Sequence, residues 1–237
     1  MTYIIGIDCA TSPLKTGLAL AAWDAGTLRL LDLTRGSRQR PPVVIVAEWA
    51  QAHSRVLLAL DAPLGWPAAL GAALAGHRAG ERLDYGADRL FRRRTDEWIK
   101  TRLGKRPLEV GADLIARTAH AALALLQGLR ERLGEPVPLL WEPARLERLG
   151  AIEVYPAATR RACWPEDLTD PGQLARWTAS TSSRLAAVSR DERDAVICTV
   201  AGADFLAGSA EPPPAVDRET AEKEGWIWVR RPSESRA

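Results

Sequence analysis

The chain has 237 residues, 46% of them hydrophobic and 26% charged, with a net charge of +2. This length and composition suit one large α/β domain, with or without a helical insertion. No stretch approaches the roughly 20 unbroken apolar residues of a bilayer span, and the N-terminus lacks the basic region and cleavage site of a signal peptide. Three distant cysteines without a CxxC pair disfavour a disulfide framework or a thiolate zinc site. We therefore expect a soluble, cytoplasmic protein without a membrane partner.

The first 60 residues predict an antiparallel meander followed by a helix and a fourth strand. Apolar or alternating runs at 3–9, 16–23 and 27–33 indicate three strands. Two prolines open a helix that extends to about residue 53. A β-suited apolar run at 55–60 then ends just before Pro63, where proline opposes continued central pairing.

The rest of the chain predicts two more strands and several helices. They are a short Ala-rich helix from residue 67, a long helix at about 111–133, strands at 151–154 and 224–229, and helices at about 173–189 and 191–207. A meander followed by βα units specifies a mixed sheet with helices on both faces. We therefore predict the α/β class and a single ribonuclease H-like domain, with a mixed five-stranded sheet and a helical insertion at about 66–134.

Three aspartates stand where ligands bind in such a sheet. Asp8 and Asp61 end apolar strands that this topology makes parallel neighbours, so they should lie side by side at the carboxyl edge. Asp194 precedes the apolar face of the last helix, three residues after Asp191. The alternatives are that Asp8 only accepts hydrogen bonds, that Asp61 caps the turn before Pro63, and that Asp191 caps the helix.

Glu153 interrupts the fifth predicted strand between two apolar residues. It is either a fourth acid of the site or a solvent-facing residue of a half-buried strand. Clusters made only of carboxylates favour hard ions such as Mg²⁺ or Mn²⁺. Paired ions about 4 Å apart can activate water and stabilise the leaving oxygen of a phosphodiester. No histidine spacing suits zinc, and neither a P-loop nor a GxSxG elbow is present.

Several motifs give the chain a family resemblance that covers nearly its whole length. They are GIDCATSPLKTGLALA, LLALDAPLGWP, the segment at 93–96, EVYPAATRRACW, DERDAVICTVAGADFLAG and EGWIWV. The first resembles the first strand of ribonuclease H-like nucleases, and DERDAVICTVAG resembles the last helix of Holliday-junction resolvases of that fold. Together they resemble the family of predicted ribonuclease H-like nucleases catalogued as domain of unknown function 429.

The resemblance implies a metal-dependent nuclease. Asp8, Asp61 and Asp194 would be its ligands, with Glu153 or Asp191 as the fourth. Arg94 and Asp96 match an Arg-x-Asp segment of the family, which is interpreted either as a phosphate clamp oriented by a carboxylate or as an ion pair at a helix start.

The loop after the first strand is small and polar, so its amides or the hydroxyl of Thr11 could approach an anion. Eight basic residues between positions 89 and 106 form either a phosphate-attracting patch or a solvated surface. The expected partner is a nucleic acid, either DNA or RNA, and a homodimer is left open.

Two other functions compete with the nuclease. An ATP phosphotransferase of the actin and sugar-kinase type shares the fold but generally needs two such domains. A non-catalytic binding protein could use Trp66, Trp98, Trp141, Trp164 and Trp177 as stacking platforms, although such residues more often anchor a core or an interface.

Overall fold

The computed structural model of the protein describes residues 1–111, 113–163 and 188–231. The strands are β1 (Thr2–Asp8), β2 (Gly17–Asp24), β3 (Thr27–Arg35), β4 (Val56–Asp61) and β5 (Leu149–Glu153). The helices are α1 (Pro42–Gln51), α2 (Ala68–Leu74), α3 (Ala87–Phe91), α4 (Arg94–Leu103), α5 (Asp113–Leu133), α6 (Pro156–Cys163), α7 (Arg190–Leu206) and α8 (Arg218–Glu224). Among the described residues, none of these helices is both long and apolar enough to cross a membrane.

The five strands form one mixed sheet in the order β3-β2-β1-β4-β5. The first three strands pair antiparallel, as the predicted meander requires, while β1, β4 and β5 run parallel. This order and these directions confirm the predicted ribonuclease H-like fold. The parallel register places Asp8 directly opposite Asp61, so the carboxyl ends of β1 and β4 meet at one edge.

Alternate residues of β1 supply the cores on the two faces of the sheet. Ile5 and Ile7 pack on the side of α1 and α5, together with residues such as Leu126. Ile4 packs on the opposite side, which α7 covers. The period of two in β1 and the apolar faces of the helices therefore produce helices on both sides of the sheet.

Most predicted elements are present within two residues of their expected ends, but the predicted strand at 224–229 needs correction. Its first residue ends α8, and the segment forms one isolated bridge, between Glu153 and Ile227. Among the helices without predicted bounds, α4 begins inside the arginine-rich run and α6 begins at Pro156. The helix predicted at 173–189 lies almost wholly outside the described residues.

Close contact between β1 and α7 depends on Gly6. A Cβ atom at this position would lie 2.0 Å from the carbonyl oxygen of Ala195. Backbone atoms cannot yield as a side chain does, so we expect Gly6→Ala to lower the free energy of unfolding by about 3 kcal/mol or more. Gly71→Ala in α2 is the control, since its Cβ would meet nothing within 4 Å; it should be neutral or stabilise the protein by up to about 1 kcal/mol. Urea unfolding measures both, and equal effects would contradict the packing described.

Candidate functional site

The carboxylates of Asp8 and Asp61 form the centre of the candidate site. Each residue ends its strand, and the two are paired in the parallel ladder. Neither carboxylate makes a hydrogen bond or ion pair with another residue in the described part of the chain. Partly buried polar groups are normally satisfied by protein or solvent partners. Two adjacent acids without a protein partner therefore indicate a place for a cation.

Asp194 reaches the same edge from the first turns of α7. The helix is capped by Ser189, whose hydroxyl accepts from the amide of Glu192 while the Glu192 carboxylate accepts from the Ser189 amide. The alternative that Asp191 caps this helix was therefore wrong. The cap fixes the start of α7 over Gly17, where a Cβ would lie 2.1 Å from the Asp191 carbonyl oxygen.

The three aspartates influence one another electrostatically. Burial, followed by the charges on Asp194 and Asp191, raises the pKa of Asp8 to about 7. Burial and then the charges on Asp8, Asp194 and Glu153 raise the pKa of Asp61 well above its usual range. The guanidinium of Arg160 opposes both shifts. Thus the structure brings Asp8, Asp61 and Asp194 together at one edge, with Asp191 close enough to act on Asp8.

Asp194 itself is held by arginine. Its Oδ1 accepts from the Nη1 of Arg160 at 2.5 Å, and its Oδ2 lies 3.6 Å from the Nε of Arg190. The side chain of Arg190 is 86% exposed, so its contribution is small, whereas that of Arg160 is only 32% exposed. Arg160 is a residue of the site that the sequence analysis missed. The available signal was Pro156, which starts a helix directly after β5 and so directs Arg160 back toward the edge of the sheet.

The acids suit a hard cation, but not as one preformed shell. Within the described residues, no three His, Cys, Asp or Glu side chains are arranged to hold a single metal ion. Arg160 holds one oxygen of Asp194 in this arrangement, so the role of Asp194 as a metal ligand stays a prediction. The pair Asp8 and Asp61 still fits Mg²⁺, which typically takes one or two carboxylates and completes its shell with water and substrate phosphate.

Glu153 is not free for a cation. It is buried, and its two oxygens accept from both terminal nitrogens of Arg93 at 2.8 and 2.9 Å. Its Oε2 also accepts from the amide of Leu64 at 2.9 Å. The structure therefore corrects both sequence interpretations of Glu153, as a metal or catalytic residue and as a solvent-facing one. Its charge raises the pKa of Asp61, but its own hydrogen bonds are with Arg93 and the amide of Leu64.

Arg93 is the centre of this network. Its side chain is 1% exposed, and the guanidinium donates to Asp96, to Glu153 and to the backbone carbonyl of Glu224. These contacts use every N–H that the guanidinium offers. The ion pair expected at a helix start is therefore present, but its arginine is Arg93. Arg94 is half-exposed and bonds Asp217 and Glu97, so Asp96 does not orient it as a phosphate clamp.

The network also fixes the loop that follows Asp61. Glu153 binds the amide of Leu64, and the Glu224 carboxylate accepts from the amides of Ala68 and Arg94. Gly225, with φ of 86°, lets the chain pass close to Glu153, because a Cβ there would lie 2.6 Å from Oε2. The buried carboxylates of Glu153 and Glu224 thus hold the backbone after Asp61 at two points, Leu64 and Ala68.

A cleft of about 510 Å³ opens beside Asp61 and Asp194. These two acids line it together with five cationic residues, namely Arg93, Lys105, Arg106, Arg160 and Arg190. Lys105 and Arg106 make no salt bridge with another described residue. The basic segment at 89–106 is therefore not one patch: Arg92, Arg93, Arg94 and Arg102 are paired with acids, while Lys105 and Arg106 line the cleft without a salt-bridge partner among the described residues.

Thr11 lies beside the cleft and does not line it. The residue is exposed and lines a separate groove of about 230 Å³ between the loop after β1, the start of α1 and the middle of α5. The two hollows share Cys9. Burial raises the pKa of the Cys9 thiol, and Asp61 and Asp8 raise it further, so it remains protonated.

The model of a family of proteins of unknown function, DUF429, matches residues 6–219. The family resemblance that the motifs indicate is thereby confirmed. Among solved structures, T. thermophilus RuvC in complex with Holliday junction substrate is similar, with 14% sequence identity, a TM-score of 0.45, and coverage of 90% of this chain and 100% of that chain. No curated protein matches the sequence.

Removing Arg93 should leave the buried carboxylates of Asp96 and Glu153 without their cationic partner. We expect Arg93→Met to lower the free energy of unfolding by about 3–5 kcal/mol, the usual result of deleting one side of a buried ion pair. The neighbouring Arg94→Met removes a half-exposed side chain and should change it by less than about 1 kcal/mol. Urea unfolding of the two variants compares them directly, and a small effect at Arg93 would show that the network is dispensable.

The raised pKa of Asp8 predicts how metal-free stability depends on pH. The folded state retains a proton that the unfolded state loses near pH 3.8, so stability should fall as the pH rises from about 4 to about 7. Asp8→Asn removes this loss and should raise the free energy of unfolding at pH 8 by roughly 1–2 kcal/mol. The full difference in pKa between the unfolded and folded states would correspond to about 4 kcal/mol, and solvent at the strand end reduces this gain.

The comparison uses denaturant unfolding of both proteins in EDTA between pH 4 and pH 8. The gain should vanish at pH 4 and grow to its full size by pH 7. Asp84→Asn, at an exposed position, is the control and should leave the profile unchanged. A variant that is less stable than the original chain at pH 8 would mean that Asp8 is satisfied in the folded protein.

Proposed function

Since the chain belongs to the DUF429 family, whose function is unknown, we propose its activity from the site: metal-dependent hydrolysis of phosphodiester bonds in a nucleic acid. The observation that carries this proposal is the pair Asp8 and Asp61, two carboxylates side by side at the carboxyl edge of a ribonuclease H-like sheet, with no bonding partner among the described residues. Such a pair is unfavourable unless it shares a proton or binds a cation.

The metal in this proposal is Mg²⁺ or Mn²⁺, held by Asp8 and Asp61. Asp194 and Asp191 lie on the adjacent start of α7 and are the candidate further ligands, while Glu153 is committed to Arg93. When bound, such ions lower the pKa of a ligated water and neutralise charge on the leaving oxygen. In the reaction, a water oxygen bonds to phosphorus, the bond from phosphorus to the leaving oxygen breaks, and that oxygen takes a proton.

The charge pattern of the cleft favours a phosphodiester substrate. The acids Asp61 and Asp194 share the cleft with Lys105, Arg106, Arg160 and Arg190, besides Arg93, whose donors are already used. Cationic side chains beside a metal site can hold the phosphates that flank the bond to be cleaved. This arrangement suits a polymer of phosphates, and the geometry is equally compatible with DNA and with RNA.

A non-catalytic binding protein is less well supported. Its argument rests on tryptophans as stacking platforms, yet none of the described tryptophans lines the cleft. Trp98 packs against Trp226, and the ring of Trp141 lies under Arg218. Trp164 and Trp177 lie outside the described residues. An ATP phosphotransferase gains no specific support from the site.

The proposal extends to the surroundings of the site. The helices α2 to α5, between β4 and β5, correspond to the expected insertion at about 66–134, and we assign them to substrate selection because Lys105 and Arg106 lie there. The three cysteines are free thiols, which suits the reducing cytoplasm. The proposal also includes a homodimer, to which we assign no interface.

The test is cleavage of labelled branched DNA, single-stranded DNA and RNA-containing duplexes in Mg²⁺, Mn²⁺ or EDTA. We expect cleavage of at least one substrate with either metal and none in EDTA. Asp61→Asn keeps the size of the side chain but removes a metal-binding charge, so its rate should fall by about 10²–10³-fold. Asp84→Asn, at an exposed position far along the chain, should cleave at the original rate.

Metal binding is measured separately by calorimetry with Mn²⁺ alone. The original chain should bind the ion, and Asp8→Asn and Asp61→Asn should each weaken binding by at least about 10-fold. Equal Mn²⁺ affinity in all three proteins would overturn the assignment of the site. Mn²⁺ binding without cleavage of any substrate would instead favour the non-catalytic binding protein.

A further inference from the structure

We propose that Arg160 alternates between two anions: it holds Asp194 in the metal-free protein and binds a substrate phosphate once the metal has taken Asp194. This inference rests on the proposed function and adds to it a phosphate-binding residue and a link between metal and substrate binding. It concerns a side chain that the sequence analysis did not select.

The first step is the contact of Arg160 with the acids. Its Nη1 donates to Oδ1 of Asp194 at 2.5 Å, and the Asp194 side chain is only 9% exposed. A cation cannot use that oxygen while the guanidinium occupies it. Arg160 therefore occupies at Asp194 the position that a positive ion would take, and among the described residues no three acids are arranged as one coordination shell.

The second step is that the guanidinium of Arg160 has space in the cleft for a second position. Its side chain is 32% exposed and lines the cleft together with Asp61, Lys105 and Arg106. The helix α6 anchors the backbone of Arg160 through the buried residues Ala158 and Thr159, while the side chain of Arg160 keeps a third of its surface exposed. A rotamer change is enough to turn an arginine guanidinium from one partner to another within its reach.

The third step is the choice of ligand. A guanidinium displaced from a carboxylate by a metal ion needs another acceptor, and phosphate oxygens match its planar fork. Lys105 and Arg106, which also line the cleft, supply further positive charge to it. The ligand of this site is therefore the phosphate of a nucleic acid chain adjacent to the metal.

This arrangement has a consequence that a simple supporting role would not have. If Arg160 competes with metal, its removal should improve metal binding and weaken substrate binding at the same time. If Arg160 only orients Asp194 for the metal, its removal should weaken metal binding. The two roles therefore predict opposite signs for one measured affinity.

The experiment compares Arg160→Gln with Arg161→Gln. Arg161 is the next residue of α6, is exposed and does not line the cleft, so it controls for the loss of a positive charge. Calorimetry gives the Kd for Mn²⁺ alone. Fluorescence anisotropy gives the Kd for a labelled single-stranded phosphorothioate oligodeoxynucleotide, which keeps the charge of the chain but resists cleavage.

For Arg160→Gln we expect the Mn²⁺ Kd to fall about 10-fold and the oligonucleotide Kd in saturating Mn²⁺ to rise about 10-fold, the size of one charge-assisted contact. Arg161→Gln should change neither by more than about 2-fold. Arg160→Lys keeps the charge without the planar fork and should lie between the two. Matching circular dichroism spectra and Tm values establish that the variants are folded.

Asp194→Asn provides the reciprocal test. By releasing Arg160, it should tighten oligonucleotide binding in EDTA, where the original chain binds weakly. Weaker Mn²⁺ binding in Arg160→Gln, or an oligonucleotide Kd that does not depend on Arg160, would overturn the inference while leaving the proposed function intact. If the original chain binds no Mn²⁺, the proposed function fails first, and this inference fails with it.

Discussion

The parallel pairing of β1 with β4 is the constraint on which the site depends. It places Asp8 opposite Asp61, and no described side chain bonds to either carboxylate. Their repulsion and partial burial oppose ionisation, so the metal-free fold is least stable where the acids are charged. A protein that keeps such a pair accepts reduced stability at that position, a cost that the proposed cation site would explain.

Arginines balance the charge of the other acids in this structure, and the burial of each arginine determines its role. Arg93 has all its donors used by Asp96, Glu153 and a backbone carbonyl, so it is fixed and structural. Arg94, its neighbour, is half-exposed and bonds Glu97 and Asp217, so its charge remains in contact with solvent. Arg160 lies between these extremes, bonded on one side and open to the cleft on the other. Only the last combination allows an arginine to change partners.

The sequence predicts the sheet and its carboxyl-edge acids well because both depend on local pattern. The period of two in β1, the end of β4 before Pro63 and the start of α7 place Asp8, Asp61 and Asp194 without knowledge of tertiary contacts. It misassigns Glu153 because the partner, Arg93, is 60 residues away and lies in a run of arginines that are indistinguishable by sequence. The sequence also predicts a strand where only the isolated bridge at Ile227 forms. It misses the preceding helix α8, because this short polar helix has no apolar periodicity.

The position of Glu153 shows why counting acids near a predicted site overestimates its ligands. Glu153 follows the strand register to a point beside Leu60, one residue from Asp61, and its charge still raises the pKa of Asp61. Nevertheless its oxygens bind Arg93 and the amide of Leu64, so it determines where the Asp61 loop lies and leaves cation binding to others. A carboxylate can therefore shape the electrostatics of a site and the backbone beneath it without contacting the ion. In this structure, the acids whose oxygens are already bound by a buried arginine are the ones least available to a cation.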